Sequence, residues 1–370
     1  MIVHCVLDRF SFHVFRHEAE FVPAPRDLSL SETPDLFFVE TAWDSVGGGW
    51  NLGQKADQEL MKELVQRYKR QGVPTVFWNK EDPPHFGQFD TLTRLFEFVL
   101  TTDADCIEKH RTNIGHDRIG LMTFAAQPRI HFCDPSFKRI PRPCFVGTNY
   151  TSRYPERKAQ RDVILKPALA MGLLIYDRST IDPVMHTTVD QYDRPAYRFP
   201  DDYDAAIVGG LRYEALCNIY RYYRVFLSVN SVQHSPTMFP RRVVELLLSG
   251  TPVLSGESRA LTTLFGDCVP QSCDAKKTAE LLHAFLEDDT FWSRYSIAGQ
   301  QLVLGSHTAT HRFADLLTFC GLPVPEEITK RKTLYELASL ETTQQGISAA
   351  LRREKTKEYS SHAIASMGCR

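Results

Sequence analysis

Arg241 and Arg242 stand side by side, and Glu245 follows one turn later, in the run Asn230-Ser-Val-Gln-His-Ser-Pro-Thr-Met-Phe-Pro-Arg-Arg-Val-Val-Glu245. Paired guanidinium forks match the oxygens of a diphosphate. A carboxylate beside them is suited to accept hydrogen bonds from ribose hydroxyls. Arg241 and Glu245 also have the i,i+4 spacing of an ordinary ion pair on a solvated helix face. Their surroundings favour a ligand. An apolar strand at Val225–Val229 enters a polar loop, a helix stops at Gly250, and a second apolar strand ends at Ser255. A loop feeding a helix offers free backbone N–H groups and a positive dipole end. The pattern predicts a nucleotide-sugar pocket in which Asn230, Ser235, Thr237, Met238, Arg241, Arg242 and Glu245 touch the donor.

Two further segments follow strands and belong with this pocket. Gly147, in Gly147-Thr-Asn-Tyr150, opens a loop that can lie beneath a sugar or phosphate, with Arg153, Tyr154 and Arg157 behind it. Tyr176 and Arg178 sit at another strand's C-terminal end, where open α/β sheets bind ligands, and are expected at the base or ribose.

Glycosyl transfer also needs a group that takes the acceptor's proton. In the first half, Asp8, Glu40, Asp82 and His85 fall at strand ends and are the candidate bases, Glu40 and Asp82 ranking first and Asp8 last. Trp43 and the glycines Gly47, Gly48 and Gly49 supply an aromatic platform and a pliable loop after Glu40. Trp78, Asn79 and Lys80 open the polar run that reaches His85, and complete the acceptor side. Plain turns with core tryptophans have the same composition. Asp103-Ala-Asp105 has an Asp-x-Asp spelling that can hold a metal, and His307 and His311 have an i,i+4 spacing that can chelate zinc. The acidic string is too short to carry a metal site against a two-domain α/β pattern, and the histidines have no third ligand, so no metal and no cofactor is expected beyond the donor substrate. Gly-x-Ser-x-Gly, Walker A and Gly-x-Gly-x-x-Gly strings are absent.

The spacing Glu-x-x-x-x-Gly-x-Pro-Val, Glu245 to Val253, is similar to the donor-site helix of GT-B glycosyltransferases. The string Ser235 to Glu245 resembles more closely the CgeB-type group of bacterial glycosyltransferases. Val6-Leu-Asp-Arg-Phe-Ser11, Phe77-Trp-Asn-Lys-Glu-Asp-Pro-Pro-His85 and Tyr154-Pro-Glu-Arg157 point the same way, so the resemblance spans roughly residues 1–320. It implies a metal-independent transfer of a sugar from a nucleotide-diphosphate sugar to a hydroxyl of a glycan, cell-surface polysaccharide, lipid-linked or protein acceptor. A nucleotide-sugar epimerase of the same fold, or a sugar-binding relative without turnover, stays open. Retaining relatives often carry a first Glu eight residues before the second; that position is Thr237 here, which leaves the stereochemistry open.

The rest of the chain must build the scaffold. Short apolar runs alternate with helical patterns, which predicts an α/β protein of two Rossmann-like domains facing a cleft. Strands are expected at Ile2–Leu7, Leu36–Glu40, Val73–Trp78, Phe98–Thr102, Gly120–Phe124, Cys144–Gly147 and Leu173–Tyr176, and helices at Gln58–Arg70, Pro155–Met171 and Tyr213–Arg224. The prolines between Pro135 and Pro143 mark a boundary. The expected division is an acceptor-side domain at 1–140, a donor domain at 141–305, helices at 306–345 crossing back to the first domain, and a weakly ordered tail at 346–370. Leu334, Leu337 and Leu340 mark one face of an amphipathic helix.

With 370 residues, 43% hydrophobic and 24% charged, the chain has material for two cores. A net charge of −2 gives no reason to expect nucleic acid. Nine cysteines without a Cys-x-x-Cys pair read as scattered thiols of a reducing compartment. The opening residues form a strand instead of a signal peptide, and no run approaches the ~20 apolar residues of a membrane span. A cytoplasmic protein is expected, with a peripheral place at the inner membrane face allowed and the oligomeric state open.

Overall fold

A computed structural model describes residues 1–29, 32–150, 154–180 and 197–352. Two parallel sheets organise them. The first has the order β2-β1-β3-β4-β5-β6, with β1 Ile2–Val6, β2 Glu20–Pro23, β3 Leu36–Glu40, β4 Thr75–Asn79, β5 Phe98–Thr101 and β6 Ile119–Leu121. The second has the order β11-β10-β7-β8-β9, with β7 Ile140–Val146, β8 Leu174–Tyr176, β9 Ile207–Gly209, β10 Tyr223–Ser228 and β11 Val253–Ser255. All pairings are parallel. Helices cover both faces of such sheets, so their strands read as unbroken apolar runs. Alternate residues of β3 then serve two cores. Leu36 and Phe38 pack with Phe15 and Trp78, while Phe37 and Val39 pack against Met61, Leu64 and Tyr68 of the helix Lys55–Arg70.

Several boundaries differ from the sequence pattern. Pro141 and Pro143 lie in β7, the first strand of the second sheet in chain order, whose first three residues are exposed and whose pairing with β10 shifts register between Tyr223 and Val225. An exposed, irregular strand start tolerates the missing donors. The helix expected at Tyr213–Arg224 stops at Ile219, because Tyr223 already belongs to β10. The helix expected at Pro155–Met171 divides into Glu156–Ile164 and Lys166–Leu169. In the helix Glu326–Ala338 the buried residues are Ile328, Tyr335 and Ala338, whereas Leu337 and Leu340 are exposed. Residues 344–352 are helical with Ile347 fully buried, so this part of the expected tail is packed; residues 353–370 lie outside the described residues.

The helix Ala309–Phe319 lies on the first sheet. Phe313 packs on Phe21, Phe319 packs on Phe98, and Thr310 Oγ1 donates to Glu18 at 2.9 Å. Arg331, from the next helix, meets the same buried carboxylate at 2.9 Å. Among the described residues no helix is long and apolar enough to cross a membrane.

Candidate active site

The C-terminal ends of β1, β3 and β4 bring Asp8, Glu40 and Lys80 together. Asp8 caps the helix Arg9–Phe15, accepting from Ser11 N at 2.8 Å. Lys80 Nζ lies 2.5 Å from Asp8 Oδ2 and 2.7 Å from Glu40 Oε1, and the Asp8 backbone N–H also donates to Glu40 Oε1 at 2.6 Å. Glu40 is fully buried, and its Oε2 has no protein partner. Burial, then the charge of Asp8, pushes its pKa up to about 8. For Asp8 burial acts upward, but Lys80 beside it, with Ser11 and Arg241, brings it below the ordinary value. Lys80 is raised: burial opposes its charge, and Asp8 and Glu40 more than restore it. One base candidate is thus an ionised, part-exposed carboxylate. The other is a buried acid.

Arginines gather across from this triad. The Arg242 guanidinium donates to Val146 O, and a Cβ on Gly147, where φ is +147°, would stand 3.0 Å from Arg242 Nη1. Glycine is required there both for the backbone and for the guanidinium. Arg157 is buried and donates to Ser231 Oγ at 2.8 Å and to the carbonyls of Thr148 and Val229. Burial, then the charge of Arg242, brings Arg157 down to about 10. Arg242 is lowered chiefly by burial, with Arg241 and Arg178 acting in the same direction. Arg241 lies over the Phe10 ring at 4.1 Å, and Arg178 lies 5.9 Å from the same ring. Phe10 lies in the helix that Asp8 caps, so one side chain of the first domain carries two arginines of the second.

The two halves are joined beside this space. Ser235 Oγ donates to Asp103 Oδ1 at 2.7 Å; Thr237 Oγ1 donates to Thr102 O at 2.9 Å and accepts from Ala104 N at 2.9 Å. His13 meets Glu214 at 2.9 Å. Anabaena Alr3699/HepE in complex with UDP is similar over 86% of this chain and 91% of that chain, at 12% identity and a TM-score of 0.50. The fold is GT-B. Residues 181–318 match the family model described as Glycosyl transferase-like. Sucrose-phosphate synthase from Thermosynechococcus elongatus aligns at 12% identity over 77% of this chain and 72% of that one, with a TM-score of 0.49. TarM aligns at 8% identity over 77% of this chain with a TM-score of 0.48, and this chain spans only 54% of its length. No curated protein sequence matches the chain.

Within the GT-B cleft the expected residues separate into groups. Asp8, Lys80, Arg178, Arg241, Arg242 and Gly147 converge. Trp43 stands edge-on to His85 and to Phe89, and His85 lies 3.7 Å from Glu81, so these form a partly exposed aromatic corner. The turn of Gly47, Gly48 and Gly49 sits between Asp8 and β2: Ser45 bridges to Asp8, and Val46 N donates to Leu7 O. Tyr154 follows the loop whose Arg153 lies outside the described residues.

Other expected residues are placed elsewhere. Trp78 is a core residue, packed on Phe15, Phe38 and Phe124, and its indole N–H is taken by Met122 O. Asn79 and Asp82 are fully buried; Asp82 accepts from Asn79 at 2.8 Å, Thr101 at 2.6 Å and His110 at 2.7 Å, which ties a loop together and leaves no access for an acceptor. Glu40 is shielded by Lys80 and the Asp8 backbone. Ser235 and Thr237 join the domains. Met238 anchors that loop, its N–H donating to Ser235 Oγ, and Asn230 holds the turn at Gly256 and Glu257. Tyr176 shares a hydrogen bond with Tyr223 across the sheet. Glu245 is fully buried, and its oxygens are taken by Arg241, Tyr213 and Tyr220. Asp103 faces Ser235, and His307 stacks on Phe265. Among the described residues no group of three His, Cys, Asp or Glu could hold a metal ion. Sequence reasoning missed Phe10, Tyr213 and Tyr220. Phe10 stands between Arg9 and Ser11, Tyr213 between Arg212 and Glu214, and Tyr220 between Ile219 and Arg221, a setting that gives no sign of their contacts with Arg241 and Glu245.

Proposed function

We propose that this protein is a glycosyltransferase of the CgeB type, moving a sugar from a nucleotide-diphosphate sugar to a hydroxyl of a glycan, lipid-linked or protein acceptor. The observation that supports this most is the gathering of buried Arg157, partly buried Arg241 and Arg242, and exposed Arg178 at the rim; Arg157 feels the charge of Arg242, and Arg242 that of Arg241 and Arg178. A diphosphate relieves that repulsion and gains charge-assisted hydrogen bonds. Asp8 is the base. It faces the arginine cluster, Lys80 keeps it ionised, and its side chain is 19% exposed. In the reaction the acceptor oxygen bonds to the anomeric carbon, its proton passes to Asp8, and the bond to the diphosphate breaks. Arg241 and Arg242 take up the charge on the leaving group, a role that preorganised cations fill in a water-poor site. Trp43 and His85 border the acceptor.

A solved structure of the same fold contains UDP, which makes UDP the first ligand to titrate, followed by GDP and dTDP. Calorimetry is expected to give saturable binding with one of the three. Binding to none of them would sink the donor assignment. Product assays with the matching nucleotide sugars then separate transfer from epimerisation, because an epimerase converts the donor sugar without an acceptor.

A further inference from the structure

The Glu245 carboxylate has only donors around it. Tyr213 Oη donates to Oε1 at 2.7 Å, Tyr220 Oη donates to Oε2 at 3.0 Å, and Arg241 reaches Oε1 from one turn earlier. Both tyrosines are buried, at 4% and 1% exposed. Behind them His131 Nδ1 accepts from Gln127 N at 3.1 Å. Its proton therefore belongs on Nε2, which donates to Tyr213 Oη at 3.3 Å. The Tyr213 oxygen is then used as acceptor and as donor, its single hydrogen directed at Glu245. The Arg241 guanidinium also rests against the edge-to-face pair of Phe10 and Tyr213, 4.1 Å from the Phe10 centroid and 4.9 Å from that of Tyr213. A long side chain with many rotamers is thereby held by its bond to Glu245 and by its contact with the Phe10–Tyr213 ring pair.

We infer that Tyr213 and Tyr220 are positioning residues, which act through Glu245 to aim the Arg241 guanidinium into the cleft at the donor diphosphate. The inference rests on the proposed donor site, since it needs Arg241 to meet the phosphates. An arginine ordered before the ligand arrives spares the complex the entropy of fixing it. Neither hydroxyl touches the ligand, so their effect on binding must vanish when Arg241 is absent.

That dependence gives the test. Tyr213→Phe and Tyr220→Phe together keep both rings and remove both O–H groups. UDP titrations, or GDP or dTDP if one of those is the nucleotide bound, are made on the wild type, on this pair, on Arg241→Ala, and on all three changes combined. The tyrosine pair is expected to weaken binding about five- to tenfold when Arg241 is present and less than about twofold when it is alanine, the signature of coupled residues. Equal weakening in both backgrounds, or none in the presence of Arg241, overturns the inference while leaving the donor site standing. Arg241→Ala that binds like the wild type overturns the placing of the diphosphate on Arg241, and the inference with it. A general loss of packing lowers the melting temperature of both backgrounds alike without changing the ratio. The single Tyr213→Phe and Tyr220→Phe variants give the same comparison if the pair does not fold.

Discussion

The facing edges of the two sheets treat charge in opposite ways. On the first, Asp8, Glu40 and Lys80 are bonded to one another, and each acid or base finds its partner inside the group. On the second, Arg157 and Arg242 are bonded to uncharged groups, backbone carbonyls and the Ser231 hydroxyl, and among the described residues Glu245 pairs with Arg241. The first edge is electrically complete and needs only to exchange a proton. The second, on the proposed reading, is completed by the anionic diphosphate. A transferase that binds a diphosphate on one domain and deprotonates an acceptor on the other requires this asymmetry.

The comparison breaks most visibly at Asp8. In Asp8→Asn the amide oxygen of the new side chain can still accept the Ser11 N–H and cap the helix. The variant is therefore expected to fold, to bind the nucleotide as the wild type does, and to lose about 10²–10⁴ in kcat. Steady-state kinetics with the donor identified by titration measure this, and a loss below tenfold removes Asp8 from the reaction. On the other edge Arg242→Ala is expected to cost about 1.5–3 kcal/mol of nucleotide-diphosphate affinity. Calorimetry reads it directly, and unchanged affinity would return the arginines to a structural role.

A smaller effect separates Glu40 from Asp8. Burial holds the Glu40 proton up to about pH 8, against an ordinary value of 4.5. Below 4.5 the group is protonated in folded and unfolded chains alike and contributes nothing. Between the two values the unfolded chain releases the proton and the folded one keeps it, so stability falls as pH rises, by up to about 1.4 kcal/mol per unit. Glu40→Gln removes that fall. Denaturant titrations from pH 5 to 8 should show a flatter profile for the variant; parallel profiles would mean Glu40 ionises normally. The smallest expected effect is that of chelation. With arginines steadying the leaving group, turnover should persist in excess EDTA, and an absolute need for added Mn²⁺ or Mg²⁺ would contradict that division of labour.

The α/β architecture was legible in the sequence because strands buried on both faces, such as Leu36–Glu40 and the one around Val225, leave continuous apolar runs. β9 was not, being three residues at a sheet edge with Val208 half exposed, and β2 gave only Glu-Phe-Val-Pro. The arginine pair announced itself through charge and spacing. What sequence cannot display is which atoms already have partners. Lys80 meets acids 40 and 72 residues away, and Glu245 is met by tyrosines 25 and 32 residues upstream. Those distant partners leave Glu40 buried against Lys80 and the Asp8 backbone, and the Glu245 oxygens on Arg241, Tyr213 and Tyr220.

The helices that return to the first sheet have a consequence for synthesis. Phe21, Phe98 and the ring-contacting Gly120 receive their cover from Phe313 and Phe319, nearly two hundred residues or more downstream. A ribosome adding about 5–20 residues per second delivers those rings roughly ten seconds or more after β5 has emerged. Throughout that interval one apolar face of the nascent first domain stays open to water, and to any chaperone that recognises such a face.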